Sequence, residues 1–287
     1  VTKADDTSSR VLVTGASGQL GSALIRRLGG VAIGLTRADL DLADPQAIRD
    51  CVRRHSPQVV INAAAYTQVD QAEQESERCF AINAAAVEVL TEACQNVGAR
   101  LVHISTDYVF GEPGQRQPFT ESDPPCPRGV YACSKQEGEL QALRDPQSLV
   151  IRTCGLYGHG GRNFVETMLR LGQERDRLRV VDDQVCTPSS VEQVAAAVLW
   201  LARSRQTGLL HVANQGATTW FGFAAEIFHR SELAVELEPI TTAQYGAPAP
   251  RPAYSVLDTS LFQSLGGPGL SAWDAALAEY LAARSSS

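Results

Sequence analysis

The stretch VLVTGASGQLG, Val11 to Gly21, decides how the chain folds. Val11 to Thr14 is a short, mostly apolar run ended by Gly15, the pattern of a buried strand. The next residues put Leu20, Ala23, Leu24 and Leu28 on one helical face and run into Gly29 and Gly30, a natural helix stop. Strand, glycine turn and helix therefore follow without a break. Within the turn the spacing is G-x-x-G-x-x-G, at Gly15, Gly18 and Gly21. In this context glycines let the backbone approach a pyrophosphate, whose charge is favoured by the unpaired amides of a helix N-terminus.

Outward from that unit, apolar runs recur at VAIGLT (31–36), VVINAAA (59–65), RLVHIST (100–106) and LVIRT (149–153). Helix-like segments such as PQAIRDCVRRH and NAAAVEVLTEACQNVG separate them. The alternation predicts an α/β fold, a Rossmann-type doubly wound parallel sheet with helices on both faces. A helix at 191–204 and a strand at 208–213 are expected to return to that sheet. The boundaries read as a disordered tail (1–9), a nucleotide-binding domain (10–153 plus about 186–213) and a smaller C-terminal substrate-binding lobe (about 154–185 plus 214–287), the last rich in Gly and Pro.

At 287 residues, 44% hydrophobic and 20% charged, the chain is long enough for a full core, which excludes collagen, coiled coil and disorder. No window approaches the length of a membrane span, and the start VTKADDTSSR lacks the apolar core of a secretion signal, so a cytoplasmic protein is expected. A net charge of −7 gives no electrostatic support for nucleic acid or anionic lipid. Seven scattered cysteines without a C-x-x-C pair read as reduced thiols, and no ligand cluster for a metal is evident.

The second strand ends in Leu35-Thr36-Arg37, with no acid at its tip to accept from a ribose 2′-hydroxyl. Arg37 suits a 2′-phosphate, so NADPH is expected over NADH. Asp41 and Leu42 fall where the adenine edge should lie; alternatively, Asp41 caps the helix that begins near Pro45.

The fourth apolar run ends in Ser105-Thr106, at the carboxyl end of a parallel strand, where open α/β sheets place their chemistry. Some distance on comes Tyr131-Ala132-Cys133-Ser134-Lys135. This Y-x-x-x-K spacing sets a phenol and an ammonium one helical turn apart on one face. An adjacent cation is expected to lower the phenol's pKa and make it a usable proton donor. Apart from Lys3 and Lys135, the 25 Lys plus Arg residues are all arginine, 23 of them, which singles out Lys135 as a position that needs a compact point charge.

Together these residues resemble the extended short-chain dehydrogenase/reductases and, within them, the dTDP-4-dehydrorhamnose reductase group. The resemblance runs from Arg10 to about Asp258 and is carried by VTGASGQLG, NAAAYTQVDQAE (62–73), HISTDYVFGE (103–112), VYACSKQEGE (130–139), NFVETMLRLGQER (163–175), VVDDQ (180–184), TTW (218–220) and PAPRPAYSVLD (248–258). It implies NADPH-dependent reduction of the 4-keto group of dTDP-4-dehydro-L-rhamnose to dTDP-L-rhamnose. By position it implies pyrophosphate contacts from Gly15, Gly18, Gln19 and Leu20, adenine contacts from Asp41 and Leu42, and contacts to the middle of the cofactor from Ala63, Ala64, Ala65, Tyr66 and Thr67. It further implies that Thr106 holds the ketone oxygen, Tyr131 donates the proton and Lys135 fixes the nicotinamide ribose. Val69, Tyr108, Asn163, Gln184 and Arg251 are the candidates for the sugar nucleotide, Arg251 because a diphosphate suits a forked cation. Members of the group occur as monomers and dimers, so the resemblance allows a homodimer.

Where the group has R-T-S-W-x-Y-G, this chain reads Arg152-Thr153-Cys154-Gly155-Leu156-Tyr157-Gly158, and the usual G-x-P-T after VVDDQ is also altered, at Val185-Cys186-Thr187-Pro188-Ser189. Loss of an aromatic face against the sugar puts the identity of the sugar in question more than the reaction type. Two alternatives share the same residues: a reductase of another nucleotide-linked 4-keto-6-deoxy sugar, and a non-catalytic NADP-binding subunit like that of methionine adenosyltransferase.

Overall fold

The apolar runs become β1 (Val11–Thr14), β2 (Ala32–Leu35), β3 (Val59–Asn62), β4 (Arg100–Thr106) and β5 (Leu149–Thr153) in a computed structural model that describes residues 10–285. The tail expected over residues 1–9 lies outside the described residues. A sixth strand, Gly208–His211, joins the edge of the sheet, giving the order Gly208–His211, β5, β4, β3, β1, β2 with every pairing parallel. Strand addition reverses direction at the β1/β3 boundary, so a crevice opens above the carboxyl ends of these two strands.

Both faces of the sheet are covered, which is why the strands read as continuous apolar runs rather than as an alternation. Val13, Ile61, Val102 and Ile151 point into one core, shared with the helices Gln19–Leu28 and Val191–Arg203. Their strand neighbours Leu12, Val60, Leu101 and Val150 point into the other, shared with Pro45–His55 and Ala86–Val97. The helix Pro45–His55 is capped by Asp44, whose carboxylate accepts from Gln46 N at 2.9 Å and Ala47 N at 3.0 Å. This overturns the alternative reading of Asp41, which sits too early to reach the first turn and accepts instead from Ala43 N.

A separate core gathers Tyr157, Val165, Met168, Phe223, Ile227, Phe228, Leu277 and Tyr280 from the helices Phe164–Glu174, Trp220–Arg230 and Trp273–Ser285, beside the paired strands Arg177–Val181 and Glu236–Ile240. Phe262 and Leu270, from the stretch assigned by sequence to the smaller lobe, are instead buried in the sheet core. Among the described residues no helix is long and apolar enough to cross a membrane.

One ion pair locks the sheet to the helix Val130–Ala142, which carries Tyr131 and Lys135. Arg152, on β5, donates to Glu139 through Nε at 2.8 Å and Nη2 at 2.7 Å, with both side chains 3% exposed, and Ser105 at the end of β4 donates to the same carboxylate. Replacing Glu139 by Gln leaves a buried guanidinium short of its counter-charge. The expected loss is about 3–5 kcal/mol of unfolding free energy, read from urea denaturation at pH 7; a loss below about 1 kcal/mol would mean that the pair is not the lock described here.

Candidate active site

The crevice at the switch point is a cleft of about 820 Å³, and the glycine turn forms its floor. Gly15 has φ +70, and a Cβ there would stand 2.7 Å from Ala64 N. A methyl at Gly21 would overlap the Gly15 carbonyl. Gly18 caps the helix Gln19–Leu28 without any side-chain hydrogen bond, so the first-turn amides are left to an anionic ligand. These features fit the pyrophosphate of a dinucleotide.

Gly15, Gly18, Gln19, Leu20, Arg37, Asp41, Leu42 and Ala63 to Thr67 all line this cleft, together with Thr106, Tyr131 and Lys135. Arg37 is exposed at the rim. The nearest acid, Asp39, is turned back on the strand end, accepting from Thr36 N at 2.9 Å and Thr36 Oγ1 at 2.7 Å. The rim therefore presents a cation where a 2′-phosphate would lie. Sequence reasoning missed Arg78, which also lines the cleft, with its guanidinium 6.0 Å from the Tyr66 ring centroid.

Lys135 is 2% exposed. Its Nζ donates to Ile104 O at 2.7 Å and lies 3.4 Å from His103 Nε2. Behind it, His103 Nδ1 meets Asn62 Nδ2 at 3.1 Å, and Thr14 donates to Asn62 Oδ1 at 2.6 Å, so polar residues at the ends of β1 and β3 and in the middle of β4 form one chain leading to the ammonium. Burial pushes the Lys135 pKa down to about 8. Burial, with the ammonium beside it, also holds His103 neutral.

Tyr131 sits half-buried one turn earlier, with the Tyr108 ring edge-on at 5.8 Å. Its pKa is raised by burial, and a hydrogen bond with Thr106 offsets part of the rise. The expected lowering by Lys135 is not found, because the ammonium is turned toward Ile104 O. The phenol is thus held protonated through the neutral range. Thr106 donates to Asp107 at 3.1 Å and accepts from Tyr108 N at 3.2 Å. Asp107 is buried, accepts also from Cys154 Sγ at 2.9 Å and Ser255 Oγ at 2.6 Å, and has its pKa raised chiefly by desolvation.

The residues assigned to the sugar nucleotide are less uniformly placed, and none of them lines the cleft floor. Tyr108 touches Tyr131, and Val69 opens the short helix Val69–Ala72 that follows β3. Arg251 forms a bidentate pair with Asp70, through Nη1 at 2.9 Å and Nη2 at 2.8 Å. Asn163 and Gln184 each have partners within the protein. Asn163 caps the helix Phe164–Glu174 through Glu166 N, and its amide donates to Gly158 O and Gln19 Oε1. Gln184 is buried and donates to Thr242 Oγ1. Gly155 has φ +52, and a Cβ there would stand 3.1 Å from Pro188 Cα. The backbone itself therefore departs from what a tryptophan needs.

Fold and cleft define a dinucleotide-dependent oxidoreductase of the short-chain dehydrogenase/reductase type. Residues 9–286 match the family model described as the RmlD substrate binding domain, and the chain belongs to that family. It is 43% identical over 282 residues to the spore coat polysaccharide biosynthesis protein SpsK of Bacillus subtilis (97% of this chain, 99% of the relative). It is 42% identical over 282 residues to a dTDP-4-dehydrorhamnose reductase of Streptomyces griseus (94% of this chain, 92% of the relative). The crystal structure of dTDP-4-dehydrorhamnose reductase from Bacillus anthracis in complex with NADP superposes with a TM-score of 0.92, at 35% identity, covering 95% of this chain and 98% of that one.

The depressed Lys135 pKa carries a stability cost with a defined sign. A cation whose folded value lies below its unfolded value destabilises the fold when charged, and the cost fades as pH rises from about 8 toward the ordinary lysine value. Lys135→Met is therefore expected to melt above wild type at pH 7, with the gap closing as pH rises through that window. A variant that melts lower at pH 7 would show that the Ile104 hydrogen bond outweighs desolvation.

Proposed function

We propose that the chain reduces the 4-keto group of dTDP-4-dehydro-L-rhamnose to give dTDP-L-rhamnose, with NADPH as reductant. The observation that carries this reading is the convergence of Thr106, Tyr131 and Lys135 on the cleft that also holds the glycine turn and Arg37. When bound there, NADPH supplies the hydride delivered to the carbonyl carbon. The amides behind Gly18 hold the pyrophosphate, Arg37 the 2′-phosphate, and Ala63 to Thr67 the middle of the cofactor.

Tyr131 is the general acid. Its raised pKa keeps the proton on the phenol until the ketone oxygen gains charge, so no free alkoxide forms. Thr106 holds that oxygen beside the phenol. Lys135, fixed by Ile104 O, presents its remaining ammonium hydrogens to a ribose and so orients the nicotinamide end of the cofactor. Arg251 and Tyr108 take the nucleotide end of the substrate. A second reading, reduction of another nucleotide-linked 4-keto-6-deoxy sugar, is favoured by Gly155, whose backbone leaves the sugar without the aromatic face usual in this group.

The test mixes protein, NADPH and dTDP-4-dehydro-L-rhamnose and follows the loss of reduced-nicotinamide absorbance. Tyr131→Phe is expected to lower turnover about 100-fold to 10,000-fold while leaving the NADPH Kd within about twofold. Wild-type turnover in that variant would remove Tyr131 from the mechanism. NADPH binding without oxidation by wild type would overturn the assignment of this sugar.

A further inference from the structure

The segment NAAAYTQVDQAE contains two carboxylates, Asp70 and Glu73, to which the reaction gives no part. They lie on and just after the short helix Val69–Ala72 and reach in different directions. Asp70 holds the substrate-lobe loop: besides the fork on Arg251, its Oδ1 accepts from Ala249 N at 3.2 Å. Glu73 Oε1 accepts from Val130 N at 2.8 Å, the first amide of the helix that carries Tyr131 and Lys135. The cap residue of that helix, Gly129, supplies no side chain. A Cβ on Gly129 would stand 2.7 Å from Glu73 Oε1 and 3.0 Å from the Pro250 ring, so the loop, the helix start and the acid-bearing segment meet at one point.

We propose that Asp70 and Glu73 are positioning residues that set the substrate's cation and the general acid against each other from one short segment. This rests on the reading above that the substrate is a sugar nucleotide. The Asp70 carboxylate takes the Nη1/Nη2 fork of Arg251, and Ala249 O takes a second Nη1 hydrogen. Nε and the outer Nη2 hydrogen, the guanidinium's other fork, have no partner among the described residues, and that fork is the one offered to a diphosphate oxygen pair. The long side chain is fixed before the ligand arrives, so its rotamer entropy is not lost on binding. Glu73 places a negative charge at the N-terminus of a 13-residue helix, where the macrodipole favours it. Tyr131 lies in that first turn, so fraying there moves the phenol, whereas Lys135 is anchored a turn deeper by Ile104 O.

The two acids therefore act on different kinetic quantities. dTDP and NADPH are titrated separately into the intact protein by calorimetry, and turnover of dTDP-4-dehydro-L-rhamnose is measured on the same preparations. Asp70→Asn is expected to weaken dTDP about tenfold and raise KM in parallel, with kcat and the NADPH Kd within about twofold. Glu73→Ala is expected to lower kcat about tenfold while leaving the dTDP Kd within about twofold, and Glu73→Gln, which keeps an acceptor for Val130 N, to restore most of it. Unchanged or tighter dTDP binding in Asp70→Asn would overturn the role of Asp70, the tighter result marking it as a competitor of the diphosphate. Equal losses in kcat and KM for both variants, or no rescue by Glu73→Gln, would reduce the segment to a structural tie. Wild-type protein that binds NADPH but neither dTDP nor the sugar nucleotide would overturn the functional reading and this proposal together.

Discussion

A lysine that is 2% exposed has to find partners for its ammonium inside the protein, and the burial of Lys135 organises much of what surrounds it. A buried amine either loses its charge or is held by acceptors, and here the acceptor is a carbonyl of β4, Ile104 O, which the parallel sheet fixes in place. The chain of Thr14, Asn62 and His103 behind it draws on the ends of β1 and β3 and the middle of β4, so the register of three strands converges on one nitrogen. Helix Val130–Ala142 must then lie close over β4, and the buried pairing of Glu139 with Arg152 holds it there.

The same arrangement separates the two proton-bearing groups by environment. Burial raises Tyr131 and lowers Lys135, so near neutrality the phenol keeps its proton and the amine titrates close to the working range. Opposite shifts of neighbouring groups are what acid chemistry at neutral pH requires. The cost is a charge kept where the fold would be more stable without it, and a site that conflicts with stability in this way is characteristic of function rather than of packing.

Much of this was legible in sequence because it is local. The apolar runs predicted all six strands of the sheet, and the Arg100–Thr106 and Leu149–Thr153 boundaries coincide with the runs as read. The glycine turn and the Tyr131/Lys135 spacing are encoded within a few residues, and the cofactor and proton-transfer positions that the resemblance named lie along the cleft, whereas its sugar-nucleotide positions do not. The residues that sequence places least well are polar side chains whose partner decides their meaning. Asn163 is a helix cap and Gln184 a buried donor, yet an isolated amide in a sequence carries no sign of which hydrogen bond it will make. Phe262 and Leu270 follow a lobe in the chain but return to the sheet core, because apolar residues pack by proximity in space and not by position in sequence.

The sequence alone determined the α/β class, the dinucleotide turn, the cation at the end of the second strand and the pair of residues fit for proton transfer. Each depends on periodicity, backbone freedom or spacing within a turn of helix. Only the tertiary structure decided that Arg251 faces Asp70 across 181 residues of chain, that Glu73 caps a helix 57 residues on, and that Lys135 rests on Ile104 O. It also decided that Gly155 takes a left-handed backbone against Pro188. Those contacts depend on where separate elements come to rest, which is set by the packing of whole faces and leaves no trace in local pattern.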